Sequence, residues 1–120
     1  MRPELNLGTY VFITQPSIDH ISTHDILGQF REKEGITVII EKEKADMLNI
    51  PYEFVASWIT LRIHSSLDSV GLTAIFSSEL AKNNIGCNVV AGYHHDHIFV
   101  NKKDGENTMK ILQELSINYE

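Results

Sequence analysis

A turn rich in serine and aspartate is the segment of this 120-residue chain best suited to binding a small anionic group. It spans residues 64–72, with an alternating strand before it and a helix after it. Such a turn exposes backbone N–H groups at the positive end of the helix dipole. The segment therefore predicts a site for a ligand carboxylate. Its candidate ligand-binding residues are His64, Ser65, Ser66, Asp68, Val70, Gly71 and Leu72.

The polar and small residues of this turn also have purely structural interpretations. Gly71 would let a ligand approach the backbone closely, or it would allow tight packing of the helix on the sheet. We expect Asp68 to cap the helix through its side chain, where its carboxylate competes with a ligand carboxylate. Ser65 and Ser66 could donate to a ligand oxygen or only satisfy the turn.

A second cluster, residues 94–97, contains three imidazoles and one carboxylate. On a strand, His95 and His97 share one face, so that face supplies only two metal ligands. A transition-metal site needs three or four converging ligands, and His64 or His24 would have to join. Metal binding, or a metal-dependent enzyme centred on this cluster, is therefore the alternative hypothesis. The simpler interpretation is a hydrogen-bonded hairpin.

The one cysteine, Cys87, follows the pattern of a core residue. By strand alternation it shares a face with Ile85 and Val89, and free cysteine is among the most buried residue types. Asn88 lies on the opposite face and is the better polar candidate for ligand contact. The sequence contains no nucleophile elbow, phosphate loop or HExxH helix. We therefore predict that the protein is not an enzyme and uses neither a cofactor nor a metal.

Composition and charge exclude several classes of partner. The net charge of −6 argues against nucleic acid and anionic membranes. No apolar run reaches the roughly 18 residues that span a bilayer, and the first residues lack a signal-peptide core. A single cysteine cannot form an internal disulfide, which indicates a reducing, cytoplasmic location. The alternating charges of residues 41–44 are typical of a solvated surface.

Hydrophobic periodicity in the second half, residues 58–120, predicts a complete α+β unit. Apolar residues alternate along one segment and recur at helical spacing along the next. The predicted elements are strands 58–64, 85–91 and 96–100, helices 68–83 and 109–115, and a terminal strand that residues 117–119 could add. This order is the split βαβ, or ferredoxin-like, pattern, which packs two helices on one face of an antiparallel sheet.

The first half, residues 1–57, shows a looser version of the same order and could be a degenerate repeat. The predicted elements are a polar lead-in at 1–8, strands at 10–14 and 37–40, a loop at 15–24, a short helix around 26–30, a helix at 44–49 and an extended segment at 52–56. We therefore predict two halves, 1–57 and 58–120, that share a core.

Short motifs in the second half resemble those of ACT domains, small ligand-sensing βαββαβ modules. Residues 68–72, Asp-Ser-Val-Gly-Leu, are similar to the Asp-x-Pro-Gly-Val of their first strand-to-helix turn, with Val70 in place of proline. Leu80-Ala81 and the run from Ile85 to Val89 resemble the helix end and strand start that follow. In ACT domains the glycine of the turn, here Gly71, faces the effector.

A closer resemblance covers nearly the whole chain and points to an uncharacterised bacterial family of tandem ACT-like proteins, similar also to the ACT modules of eukaryotic arginine sensors. The matching blocks are residues 8–12, 30–35, 58–61, 64–67, 70–74 and 87–93. The resemblance implies two ACT-like units per chain and, by analogy, regulatory binding of an amino acid or another small ligand. It also implies that Asp96 pairs with an amino group of the ligand.

These observations lead to one functional hypothesis. The chain is a non-catalytic ligand sensor that holds a small molecule, by preference an amino acid, between the turn at residues 64–71 and the hairpin around Asp96. We expect a homodimer, because ACT-like units often pair edge to edge, and a separate enzyme or protein as the regulated partner. A purely structural dimerisation unit is a third hypothesis, which predicts no ligand at all.

Overall fold

A computed structural model describes residues 2–62 and 71–119, and its elements confirm the predicted α+β class. The strands in the described residues are β1 (Arg2–Leu5), β2 (Tyr10–Gln15), β3 (Ile26–Arg31), β4 (Ile36–Glu41), β5 (Val55–Arg62), β6 (Cys87–Ala91) and β7 (Asp96–Asn101). The helices are α1 (Lys42–Met47), α2 (Leu72–Lys82) and α3 (Gly105–Tyr119). None of the helices in this part of the chain combines the length and apolar composition needed to cross a membrane.

The chain divides into two compact units. The C-terminal unit comprises Met1–Leu7 and Ser57–Glu120, and the N-terminal unit comprises Gly8–Ala56. The first strand of the chain therefore belongs with the C-terminal half. The domain boundary drawn after residue 57 from sequence stays a prediction.

The C-terminal unit is a sheet with the strand order β6-β7-β5-β1. β1 pairs antiparallel with β5, and β6 pairs antiparallel with β7. Leu72, Phe76 and Leu80 recur at every fourth position and form one face of α2. That face packs with α3 and with one face of the sheet. The resulting core contains Ile59, Leu61, Leu72, Phe76, Leu80, Ile85, Ile98, Val100, Leu112 and Leu115.

The N-terminal unit has the strand order β3-β4-β2, and the first two residues of β5 pair with β2 on its far side. Its core contains Val11, Ile13, Ile21, Val38, Ile40, Ala45 and Ile50. Where a ferredoxin-like unit carries its first helix, the described chain forms a loop and a 3-10 turn at Thr23–Asp25. We number the strands within each unit, counting β5 as the fourth strand of the N-terminal unit and β1 as the fourth strand of the C-terminal unit. In both sheets the strands then lie side by side in the order second, third, first, fourth, which is the order of the ferredoxin-like pattern.

Three local predictions from the sequence are wrong, and strand pairing explains each of them. The lead-in contains β1, which occupies the fourth-strand position beside β5. Because that position is filled, residues 117–119 continue α3 instead of adding a strand. The helix expected around 26–30 is the strand β3, which pairs with β4 in a hairpin. β3 is largely exposed, so its sequence does not need the alternation that identifies a half-buried strand.

Candidate functional site

The end of β5 and the start of β7 lie at the same end of the C-terminal sheet. The Thr60 hydroxyl contacts the His97 ring, and a Cβ added to Gly105, beyond β7, would lie 2.7 Å from Ser57 Oγ. Residue numbers therefore rise along β7 where they fall along β5, so these neighbouring strands run antiparallel. The last residue of β5 and the first residue of β7, Asp96, lie at the same end, where the chain leaves toward α2.

Asp96 lies on the face of the sheet that the helices cover. Residues two apart on a strand point to the same face, so Asp96 shares its face with Ile98 and Val100, which are both in the core beneath α2 and α3. Its side chain is half-buried at the hairpin end, where it pairs in register with Ala91. A carboxylate in this position is directed to the same layer that contains α2.

Asn88 lies on the opposite face of the same hairpin. Its register partner is Phe99, and Val90 on the same face pairs with His97. The structure therefore separates Asn88 from Asp96, although the sequence hypothesis placed both in one ligand site. Asn88 is exposed and near the middle of its strand, so it does not contribute to the sheet end that Asp96 and α2 share.

The entrance to α2 is formed by Gly71, which adopts the left-handed conformation at the N-cap position with φ of 78°. Among the described residues, nothing lies within 4 Å of a Cβ built on Gly71. The glycine is therefore explained by its backbone angle and not by tight helix-on-sheet packing. Leu72 is 8% exposed and its side chain belongs to the core, while its part in ligand binding stays a prediction.

The other predicted members of this turn are His64, Ser65, Ser66, Asp68 and Val70, and they lie outside the described residues. The helix itself begins at Leu72. The expectation that Asp68 caps it through a side-chain hydrogen bond stays a prediction.

Replacing Gly71 with alanine is expected to destabilise the C-terminal unit by about 1–2 kcal/mol, because a side chain makes the left-handed backbone unfavourable. Gly86 offers a matched control, since a Cβ there also meets nothing within 4 Å and its φ is not positive. Gly86→Ala should be neutral or stabilising by about 0.4–1 kcal/mol. Urea unfolding of both variants measures the difference, and equal effects would contradict the assigned role of the φ angle.

The histidine hairpin is held to β5 by a polar cluster around His97. The Trp58 indole Nε1–H donates to His97 Nδ1 at 3.0 Å, and the Thr60 hydroxyl lies 3.1 Å from the same nitrogen. Because an indole N–H can only donate, Nδ1 carries no proton and the neutral ring is protonated at Nε2. The Asn6 amide donates in turn to Thr60 Oγ1 at 2.9 Å.

Asn6 is a residue that sequence reasoning missed. Besides contacting Thr60, its side chain and its backbone N–H both donate to the Trp58 carbonyl, at 3.2 and 2.9 Å. Its position depends on the pairing of β1 with β5, which brings together residues more than fifty positions apart. No local pattern in the lead-in indicates this contact.

The remaining histidines of the cluster belong to the hairpin turn and not to the strand. The Gly92 N–H donates to the His95 carbonyl at 2.9 Å, and the buried His95 Nδ1 has no hydrogen-bond partner among the described residues. His97 Nδ1 is already occupied by Trp58 and Thr60. In the part of the chain that the structure describes, no three histidine, cysteine or acidic side chains converge where a metal ion could bind.

Acidification is expected to destabilise the C-terminal unit through His97. Burial first, and the neighbouring His95 second, lower the pKa of His97 from its ordinary 6.5, while Asp96 opposes the shift. The unfolded chain therefore binds the proton more readily than the folded one. Stability contributed by neutral His97 is fully present above pH 6.5 and is lost as the pH falls below it.

Urea unfolding at about pH 7.5 and about pH 5.5 tests this prediction. The fluorescence of Trp58, the single tryptophan, reports directly on the ring beside it. His97→Asn retains an acceptor but does not titrate, so it should lose less stability on acidification. The exposed His24→Asn should behave like the parent protein. An identical pH response in His97→Asn would contradict the assignment.

Cys87 packs against the core from the edge strand β6. It is half-buried, and its register partner is the core residue Val100. Burial raises the pKa of its thiol from 9.0 to about 11. A thiol protonated this strongly is a poor nucleophile, in agreement with the interpretation of Cys87 as a packing residue.

Family comparison agrees with the architecture of these two units. Family models described as ACT domains match residues 1–57 and residues 53–114. The chain belongs to the ACT-domain family and carries two ACT domains in tandem. The predicted ferredoxin-like ACT fold is thereby confirmed. ACT domains are typically non-catalytic regulatory modules that bind small ligands.

Solved structures extend the likeness over most of the chain. A Vibrio cholerae protein of unknown function, described as a possible transport protein, is 41% identical with a TM-score of 0.86, covering 94% of this chain and 88% of that chain. An Agrobacterium tumefaciens protein is 20% identical with a TM-score of 0.72, covering 94% and 87%. The alpha and beta subunits of an aspartokinase are 8% identical with a TM-score of 0.64, covering 95% and 96%.

The last two similarities concern the fold alone, because their sequence identities are low. No curated protein matches the chain. The comparisons therefore establish the ACT family and its tandem arrangement, and they name no ligand.

Proposed function

We propose that the chain is a regulatory protein that binds an amino-acid-like ligand at the end of the C-terminal sheet shared by Asp96 and the start of α2. The observation that supports this most directly is the position of Asp96. Its carboxylate lies on the helix-bearing face, at the end where β5 leads into α2. His64, Ser65, Ser66, Asp68 and Val70 belong to the proposed site by their place in the sequence, between the end of β5 and the start of α2.

The chemistry of the proposed site follows from the two charges of an amino acid. The ligand carboxylate would accept hydrogen bonds from backbone N–H groups at the helix entrance, where the helix dipole is positive. The ligand ammonium would donate to Asp96. Half-burial of Asp96 favours this pairing, because removing both charges from water strengthens their attraction when the geometry is good.

We also propose that the protein is a homodimer whose copies pair through β6. Among the described strands, β6 is at the edge of the C-terminal sheet and contains no charged residue. Val89 and Val90 point to opposite faces and are each 39% exposed. An apolar, uncharged edge strand is a template for pairing with another strand. A ligand that binds one state of the dimer more tightly than another would then regulate a separate partner.

Thermal unfolding with each standard amino acid tests the proposed function. A ligand present at about 100 times its dissociation constant adds ~2.7 kcal/mol to the stability. Asp96→Asn should abolish most of that gain, since a hydrogen bond to a charged group contributes about 1.5–3 kcal/mol. Asp19→Asn, at an exposed aspartate of the N-terminal unit, should retain it. Stabilisation by none of the amino acids, or equal stabilisation of Asp96→Asn, would refute the proposal.

A further inference from the structure

The ring of His97 connects the hairpin turn between β6 and β7 to the neighbouring strand β5. On one side, His97 Nδ1 accepts the Trp58 indole N–H at 3.0 Å and lies 3.1 Å from the Thr60 hydroxyl. On the other side, His97 Nε2 would lie 3.2 Å from a Cβ added to Gly92, in the turn. We call these contacts the His97 bridge.

The hairpin end, residues 92–96, is otherwise held by little buried surface. Residues 98–100 are buried, whereas residues 91–94 are exposed and Tyr93 is 98% exposed. Within the turn, the Gly92 N–H donates to the His95 carbonyl at 2.9 Å. Segments that bury little apolar surface open at a low free-energy cost while the core stays folded. The hairpin end can therefore move while β7 stays in place from Ile98 onward.

Protonation of His97 is incompatible with the His97 bridge. Both ring nitrogens of an imidazolium donate, and an indole N–H can only donate, so turning the ring over would not restore an acceptor for Trp58. The Thr60 hydroxyl can adapt, because its oxygen has two lone pairs and the Asn6 amide uses one of them. The hydrogen bond between Trp58 and His97 is therefore the one that a proton breaks.

The charges near the ring do not compensate for a proton on His97. Burial first, and His95 second, lower the pKa of His97, while Asp96 opposes the shift. Glu4 and Arg62, on the same face of the sheet, pair with each other at 2.7 Å, so their charges offset one another. Arg2 is in register with Arg62 and adds a positive charge. The residues of β6 on this face are uncharged.

We propose that His97 is a pH-sensitive switch, in which proton uptake breaks its bond with Trp58 and detaches the hairpin end from β5 while the core of the C-terminal unit stays folded. In the open form the ring is exposed to water and regains the ordinary histidine pKa of 6.5. The closed form is therefore favoured above pH 6.5, and the open form gains as the pH falls below it.

The switch also changes the surroundings of Asp96, which lies in the hairpin end directly before His97. Opening would make the position of its carboxylate depend on pH. The switch itself does not rest on ligand binding at Asp96, so its test uses the protein without ligand. Failure of the switch would leave the proposed function unaffected.

Proton–nitrogen correlation NMR spectra recorded from about pH 7.5 to about pH 5 test the proposal. Trp58 is the single tryptophan, so its indole N–H gives one signal. We expect that signal and the backbone signal of Gly92 to move together, with a common midpoint below 6.5. The backbone signals of Phe76 and Leu112, which are both 0% exposed in the core, should stay in place.

His97→Asn retains an acceptor for the indole but does not titrate. In this variant both signals should be independent of pH, whereas the exposed His24→Asn should follow the parent protein. Hydrogen exchange of the indole N–H gives a second measurement, as the rate in the parent protein divided by the rate in His97→Asn at the same pH. That ratio should rise about tenfold between about pH 7.5 and about pH 5.5, since a lost hydrogen bond contributes about this much.

Two charge variants keep the test valid if His97→Asn does not fold. His95→Asn should raise the midpoint, because it removes a neighbouring positive charge, and Asp96→Asn should lower it, because it removes a negative one. Movement of the Trp58 signal without the Gly92 signal would overturn the opening of the hairpin end, as would equal movement of the core signals. A midpoint at or above 6.5, or an unchanged pH response in His97→Asn, would overturn the role of His97.

Discussion

Replacing Phe76 with alanine is expected to lower the free energy of unfolding of the C-terminal unit by about 3–5 kcal/mol. Phe76 is 0% exposed and lies in the middle of the apolar face of α2. Truncation removes its transfer free energy and leaves a cavity between the helices and the sheet. The loss is large because the surrounding core residues can collapse only partly into the space.

Phe30→Ala is the matched control for Phe76→Ala. Phe30 is 72% exposed on β3, so the same truncation there should change stability by no more than about 0.5 kcal/mol. Urea unfolding followed by Trp58 fluorescence measures the effect in the unit that contains Phe76. Similar losses in the two variants would show that α2 does not pack on the sheet as described.

Alkylation of Cys87 in the folded protein is expected to be about 100-fold slower than in the unfolded chain at ~pH 8. The thiolate is the reacting form, and burial raises the pKa of this thiol from 9.0 to about 11. Each pKa unit above the working pH lowers the thiolate fraction tenfold. Limited access of the reagent to the half-buried sulfur adds to the delay.

Mass spectrometry after timed treatment with iodoacetamide, with and without urea, measures both rates on the same thiol. The chain has one cysteine, so a single modified species reports the reaction. The unfolded chain is its own control for reagent quality and pH. A folded-state rate equal to or above the unfolded rate would mean that Cys87 is activated, and the packing interpretation would fail.

Most elements of the C-terminal unit were predictable because their hydrophobic patterns are strong. Helix α2 shows its core positions at Leu72, Phe76 and Leu80, and β7 shows the continuous apolar run of a buried strand. The N-terminal unit was less predictable. Its edge strand β3 is exposed on both faces, and the loop after β2 replaces a helix, so periodicity was weak or misleading there.

The candidate site was only partly predictable. The sequence singled out Gly71 and Asp96, and both lie in the C-terminal unit at positions consistent with the proposed site. It also grouped Asn88 with them, whereas strand register places Asn88 on the opposite face. It assigned residues 41–44 to a solvated surface, and only the fold shows that Glu41 and Lys44 line a cavity with Tyr10.

The sequence by itself determined the class of fold, the family motifs and the position of most helices and strands. These depend on local spacing and local backbone preference, which neighbouring residues specify. Tertiary structure alone decided that β1 fills the fourth-strand position beside β5, that Asn6 reaches Thr60, and which candidate residues share a face. Those outcomes depend on backbone pairing between distant segments, and backbone hydrogen bonds form with little regard to side-chain identity.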